Sequence, residues 1–266
     1  MLIVKKIIHY CWFGGNQLPE KTKKCISSWK RFFPDYEIIE WNEGNFDVNC
    51  CDYSKEAYLC KKWAFVSDFA RFKILNEYGG IYFDTDVEVI KSFDDIIEKG
   101  SFVGCEKYAI NPGLCLGLDL DSDNNEAKSL ICEIIDYYKE HHFLYPDGSM
   151  NQKTIVEYTT NIFAMHGYTP SASVLKIAGI TIYPGEYFCP MDPESGIISL
   201  SDNTHSIHHY DASWYGDREI FIVKIMKNLK KVFPVSLSRN LAVFIGTVKY
   251  DGLLQAIKRT INRVGK

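Results

Sequence analysis

The chain has 266 residues, 46% of them hydrophobic and 14% aromatic, and a formal net charge of −4. That is enough apolar material for one large domain or a domain with an appendage, and it excludes disorder as a description of the whole. Nine cysteines, odd in number and with no C-x-x-C, argue against a disulfide framework or a zinc knuckle and favour a reducing, cytoplasmic setting.

The opening MLIVKKIIHYCWFGG is interrupted by Lys5 and Lys6 and has no small-residue cleavage site, so it fails as a signal peptide. No apolar run reaches the length of a membrane span. Residues 5–13 (KKIIHYCWF) and 36–41 (YEIIEW) read as strands on either side of a helix over residues 18–32, with Pro19 near its start. A β-α-β opening favours a mostly parallel sheet covered by helices. Trp12 falls at the end of the first strand, ahead of Gly14-Gly15, where a ligand can approach the backbone closely. It is either core packing or a platform for a flat ring.

Residues 54–78 carry apolar side chains at intervals of three and four and stop at Gly79-Gly80, the pattern of a long helix with a glycine end. Ser67, Asp68 and Arg71 share one face of it. They are either a surface ion pair or polar residues lining a cleft, with Asp68 accepting from hydroxyls and Arg71 donating to a hydroxyl or phosphate. Residues 81–90 (IYFDTDVEVI) then read as a strand, which places Asp84 and Asp86 near its C-terminal end, where open α/β sheets bind ligands.

Two residues apart on a strand, the two carboxylates face the same side and repel unless a positive charge lies between them. A hard divalent cation answers that and can also neutralise a bound pyrophosphate. The alternatives are a pair of solvated acids in a turn, or the nucleophile and acid of a haloacid-dehalogenase-like phosphatase. The phosphatase pattern needs a further acidic pair downstream, which is not found, and its motif strand normally opens the fold.

Further along, residues 101–106, 113–118, 179–184 and 205–210 read as strands, and residues 125–143 and 152–167 as helices. His208 and His209 are adjacent on a strand, so one faces the cleft and the other away. A histidine joining two aspartates tilts the preferred ion from Mg²⁺ toward Mn²⁺. From Arg218 onward there are eleven Lys/Arg against two acids, leaving 19 basic and 32 acidic residues in the body. The charge changes sign near Gly216. Residues 218–233 and 253–266 interleave the basic residues with apolar ones at helical spacing, consistent with surface helices packed on the body or with attachment to an anionic membrane. Nucleic-acid binding is disfavoured by the acidic body and the lack of a reading motif.

The segments KKIIHYCWFGG, YEIIEWNE, KKWAFVSDFARFKILNEYGGIYFDTDVEV, ITIYPGEYFCP and SIHHYDASW, in this order, resemble bacterial members of glycosyltransferase family 32, the capsular-polysaccharide type of sugar transferase with a DXD motif. More distantly they are similar to the glucosylating domain of large clostridial toxins. The resemblance implies an α/β GT-A fold, a Rossmann-like nucleotide-diphospho-sugar transferase with a mixed, mostly parallel sheet flanked by helices. The catalytic domain would take residues 1–216 and a basic helical extension residues 217–266.

The resemblance further implies a UDP-sugar donor, UDP-galactose or UDP-glucose, a divalent metal (Mn²⁺, with Mg²⁺ as the alternative), and transfer with retention to a glycan or lipid-linked acceptor in capsule or surface polysaccharide synthesis. Carried over by position, Trp12 stacks on uracil, Asp68 and Arg71 bind the donor sugar, and Tyr82 contacts the nucleotide. Asp84 and Asp86 hold the ribose and the metal and are the catalytic pair. His209 is favoured as a further metal ligand, with His208 not excluded. A non-catalytic sugar-binding protein is the third class. The protein is expected in the cytoplasm, on the inner face of the membrane if the tail attaches there.

Overall fold

A computed structural model of the chain describes residues 4–121, 126–193, 196–210 and 217–264. It divides into two compact units, Met1–Asp211 and Ala212–Lys266. The boundary expected near Gly216 lies outside the described residues.

In the first unit the elements follow as β1 (Ile7–Cys11), α1 (Glu20–Phe32), β2 (Glu37–Trp41), α2 (Asp52–Leu59), α3 (Trp63–Tyr78), β3 (Gly80–Tyr82), β4 (Val87–Val89), α4 (Asp94–Ile97), β5 (Phe102–Glu106), β6 (Ala109–Ile110), β7 (Leu116–Leu118), α5 (Glu126–Lys139), α6 (Ile155–Met165), β8 (Leu175–Ile177), β9 (Ile180–Tyr183), α7 (Gly185–Phe188) and β10 (Ser206–His208). The main sheet runs β2-β1-β3-β7-β5-β9-β8, with β6 added to β5. Its pairings make β1, β2, β3, β5 and β9 point one way, while β6, β7 and β8 oppose them. This is the mixed, helix-flanked α/β sheet expected of a GT-A transferase.

Two apolar layers cover the sheet. Tyr82, Val103, Cys105, Leu116, Leu118 and Ile182 pack on one face against side chains of α3, α5 and α6. Ile8, Tyr10, Ile81, Phe83, Phe102 and Tyr183 pack on the other against α1, α4 and α7. Alternate residues of β1 and β3 fall in opposite layers, the period of two that a sheet buried on both faces requires.

Two expected elements are broken. The helix over residues 54–78 is α2 followed by α3, divided at Cys60–Lys62, where Lys61 takes φ +55°. The strand over residues 81–90 is β3 and β4, which belong to different sheets, because the chain turns at the two aspartates. The Asp84 amide donates to the Gly113 carbonyl (2.9 Å), and the Val87 amide donates back to the Asp84 carbonyl (3.1 Å). β4 then pairs antiparallel with β10.

α1 fixes where β4 lies. Trp29 is fully buried between Tyr10 and Phe83, its indole N–H donates to the Val87 carbonyl (2.8 Å), and the Ser28 hydroxyl accepts from the Val89 amide (2.9 Å). The Gly79-Gly80 turn is equally constrained. Gly80 has φ +92°, and a Cβ there would lie 2.6 Å from the Ile7 carbonyl oxygen, so the turn that brings α3 onto β3 needs glycine.

The second unit consists of α8 (Asp217–Leu229), α9 (Val235–Asp251) and α10 (Leu253–Val264). The helices expected over residues 218–233 and 253–266 correspond to α8 and α10, and α9 had no strong pattern of its own. Gly246 sits where a Cβ would collide with Ile222, which lets α8 and α9 pack closely. Among the described residues no helix is long and apolar enough to cross a membrane.

Candidate active site

β1, β3, β5 and β9 present their C-terminal ends along one edge of the sheet, and the chemistry-bearing residues gather there. Asp84 follows β3, and Asp86 precedes β4. Arg71, from the middle of α3, reaches across to them. Its guanidinium N–H groups donate to Asp68 Oδ1 (2.8 Å), to Asp84 Oδ2 (3.4 Å) and to the Ser67 carbonyl (3.1 Å), and it forms an ion pair with Asp84 Oδ1 at 3.2 Å. The same guanidinium lies over the Tyr82 ring, 4.7 Å from its centroid, and the Tyr82 hydroxyl donates to Asp84 Oδ1 (3.1 Å).

Arg71 is only 3% exposed in its side chain, whereas Asp84 is 31% exposed. A planar fork held on several sides can fix one rotamer of its carboxylate partner. The outward part of Asp84 remains accessible. Burial pushes the Asp68 carboxyl up to about 7 against the pull of Arg71, with the Asp84 charge adding to the rise. Tyr82 is pushed well above its ordinary value by the same burial. Asp68 and Arg71, expected to touch a donor sugar, and Tyr82, expected to touch a nucleotide, are thus buried beneath Asp84. Their donors and acceptors are directed at one another, so in this packing they brace the carboxylate rather than offer an open contact.

Sequence reasoning did not single out Gly113. A Cβ on it would collide with Asp84 Oδ2 and approach Arg71, so this glycine makes the clamp possible. Its amide donates to Asn111 Oδ1 (2.9 Å), and the Asn111 side-chain amide in turn donates to Glu106 at the end of β5 (3.1 Å). The signal in the sequence was the Asn111-Pro112-Gly113 turn between two strand patterns.

Asp86 points elsewhere. His208 Nε2 lies 3.2 Å from Asp86 Oδ1, and both side chains are largely buried. Burial alone would hold His208 neutral, but the charge of Asp86 and its hydrogen bond lift the imidazole to about 10. His209, favoured as the metal ligand, turns the other way. Its Nε2 meets Glu88 Oε2 at 2.7 Å, while its backbone amide donates to the Asp86 carbonyl (3.0 Å). The reason is register: β10 pairs His208 with Val87, the neighbour of Asp86, and alternation sends the next side chain out. The imidazole beside the motif is therefore His208. Behind it lie Tyr210, with ring centroids 4.3 Å apart, and Cys189, 3.0 Å from the Tyr210 hydroxyl.

A carboxylate and an imidazole side by side have the donor chemistry of a divalent cation seat, and His208 Nδ1 is buried without a hydrogen-bond partner among the described residues. The imidazole must release its proton to bind a metal. Among the described residues no three His, Cys, Asp or Glu side chains form a ready metal cluster. Asp86 and His208 therefore fit such an ion as two ligands whose remaining positions water or ligand oxygens would fill.

Trp12 stands just past β1 on the same edge, half-buried, its indole N–H donating to the Asn16 carbonyl (2.6 Å). Gly14 and Gly15 follow with φ +94° and +67°. The bend they form is tied down by Glu43, which accepts from the Gly14 amide (2.7 Å).

Over 111 residues the chain is 29% identical to inositol phosphoceramide mannosyltransferase 1 of Schizosaccharomyces pombe, covering 38% of this chain and 33% of that protein. Over 234 residues it is 24% identical to subversion of eukaryotic traffic protein A of Legionella pneumophila, covering 77% of this chain and 34% of that protein. The chain thus spans about a third of the length of these curated relatives. Among solved structures, the PaToxG glycosyltransferase is 20% identical, with a TM-score of 0.43 over 61% of this chain and 68% of that one. Residues 19–103 match the family described as a glycosyltransferase sugar-binding region containing a DXD motif, and Asp84 and Asp86 fall within the matched region in that D-x-D spacing.

Proposed function

We propose that the protein is a metal-dependent, retaining hexosyltransferase that moves a hexose from a UDP-sugar, UDP-galactose or UDP-glucose, to a glycan or lipid-linked oligosaccharide acceptor. The observation that carries this reading is the pair of differently held carboxylates: Asp84 clamped by buried Arg71, and Asp86 beside His208, two residues apart at the ligand-binding edge of the sheet. A relative named for a mannosyl transfer to inositol phosphoceramide supports the lipid-linked class of acceptor. The cytoplasmic face of a membrane and the assembly of a bacterial surface or capsular polysaccharide are the setting this chemistry suits.

Asp86 and His208 would hold the divalent cation, Mn²⁺ or Mg²⁺, which when bound neutralises the charge that builds on a departing diphosphate. Asp84, kept in one orientation by Arg71 and Tyr82, accepts hydrogen bonds from the donor's hydroxyls on the ribose side. Trp12 and the Gly14-Gly15 bend offer a flat apolar face and an approachable backbone for the base. Transfer rather than hydrolysis requires that the acceptor hydroxyl displace water from the edge. The phosphatase reading is weakened by the clamp itself, because a carboxylate paired with a guanidinium through both oxygens is a poor nucleophile.

Slow UDP release from a panel of UDP-sugars with Mn²⁺ tests the proposal without knowledge of the acceptor. Release from one or two donors is expected, and Asp86→Asn should abolish both that release and Mn²⁺-dependent UDP binding while the circular dichroism spectrum is retained. Unchanged turnover in Asp86→Asn would sink the proposal, as would phosphate release from an aryl phosphate without any UDP binding.

A further inference from the structure

The second unit carries a surface that its own packing leaves uncovered. Its interior is small: Ala242, Ser238, Thr247 and Ala256 are buried, and Asp251 ties the ends together by accepting from Arg218 (2.9 Å) and Arg259 (3.0 Å). Outside that interior, nine of the nineteen exposed large apolar residues described in the whole chain fall in this unit, about a fifth of its length. Leu254 is 79% exposed and Val232 76%, accompanied by Leu253, Ile257, Val223, Phe233 and Leu237.

α10 is the most strongly amphipathic of the described helices. Leu253, Leu254 and Ile257 form an apolar stripe at helical spacing in its first half. Ordinarily such a stripe is the face a helix buries. Here Ala256 is the buried contact, and Leu253, Leu254 and Ile257 face solvent.

Charge selects the occupant. The stretch from Arg218 onward holds eleven basic and two acidic residues, and the lysines at 224, 227, 230 and 231 lead directly into exposed Val232 and Phe233. Interleaved basic and large apolar side chains match a surface that offers dense negative charge above a hydrocarbon layer. Nucleic acid would meet the charge but give Leu254 and Val232 nothing to enter. With no helix long enough to span among the described residues, the fitting mode is one that lies on the membrane.

We propose that the C-terminal unit docks the protein on an anionic lipid surface, with α10 lying in the plane of the interface, Leu253, Leu254 and Ile257 inserted at the acyl boundary, and the basic side chains of α8 and α10 at phosphate level. The occupant is the bilayer itself, recognised by its charge and apolar depth, and the inference does not depend on the donor sugar or on turnover.

The test is flotation of the full chain with vesicles of phosphatidylcholine alone and of phosphatidylcholine with phosphatidylglycerol, at low and high salt. Binding to the anionic vesicles, little to the neutral ones, and release by salt are expected. Leu254→Glu with Ile257→Glu should weaken flotation roughly tenfold or more, because both insertion and charge balance are lost. Both side chains are exposed, so circular dichroism and UDP binding should be unchanged, and Lys227→Glu with Lys231→Glu should weaken flotation independently. Equal binding to neutral and anionic vesicles, no binding to either, or full flotation of both double variants would overturn the inference. So would a concentration-dependent dimer in the wild type that Leu254→Glu dissociates, since that would assign the stripe to a second copy.

Discussion

The Arg71 guanidinium is almost fully buried and meets carboxylate oxygens of both Asp68 and Asp84. Removing it leaves two acids facing each other in a poorly hydrated site. Arg71→Met should therefore destabilise the protein by about 3–5 kcal/mol, read from urea unfolding, whereas Arg71→Lys should retain more stability and still lose transfer because a point charge cannot span both carboxylates. Wild-type stability in Arg71→Met would contradict the clamp.

A second residue-scale effect lies in the core. The Trp41 indole N–H donates to His9 Nδ1 (3.0 Å), so His9 carries its proton on Nε2 and donates to the Gly79 carbonyl (2.9 Å). Burial lowers its pKa to about 4 from an ordinary 6.5. Since the unfolded chain takes up the proton first, this contribution to stability is complete above about pH 6.5 and falls as pH drops toward 4, by about 3 kcal/mol in all. Unfolding of wild type and His9→Gln at neutral pH and near pH 4.5 should show a smaller acid loss in the variant; parallel losses would exclude His9 as the source.

At the scale of elements, the site depends on α1 as much as on the strands that bear the aspartates. Trp29 holds β4 through the Val87 carbonyl, and β4 holds both Asp86 and, by pairing with β10, His208. Trp29→Phe keeps an aromatic ring but leaves that carbonyl unpaired, at a cost of about 1–3 kcal/mol. The expected result is a lower urea midpoint together with weaker Mn²⁺-dependent UDP binding; a loss of stability with unaltered binding would uncouple the helix from the site. Much of this scale was legible in the sequence. The β-α-β opening, the Gly79-Gly80 stop and the helices over α5 and α6 follow from periodicity and turn residues. The division of the DTD strand did not, because β-branched and aromatic residues run through it and the turn is closed by Gly113, far along the chain.

For the whole molecule, the change in charge near Gly216 and the two compact units divide the proposed tasks, sugar transfer for the first unit and surface attachment for the second. If the units are independent, Gly246→Leu, which forces α8 and α9 apart, should lower the melting of the helical unit and leave UDP binding intact. A loss of UDP binding in step with helicity would mean that the two fold as one. What the sequence by itself determined is the chemistry available: two aspartates after a buried strand, an Asp68–Arg71 face on a helix, paired histidines, and a basic amphipathic tail, since composition and local spacing are properties of neighbours along the chain. Which of these groups meet was decided by the tertiary structure alone. Arg71 turned inward to clamp Asp84, His208 rather than His209 came to Asp86, and α10 kept its apolar stripe uncovered. Strand register and helix packing set those contacts, bringing together Asp86 and His208 from more than a hundred positions apart, and no local pattern encodes such a pairing.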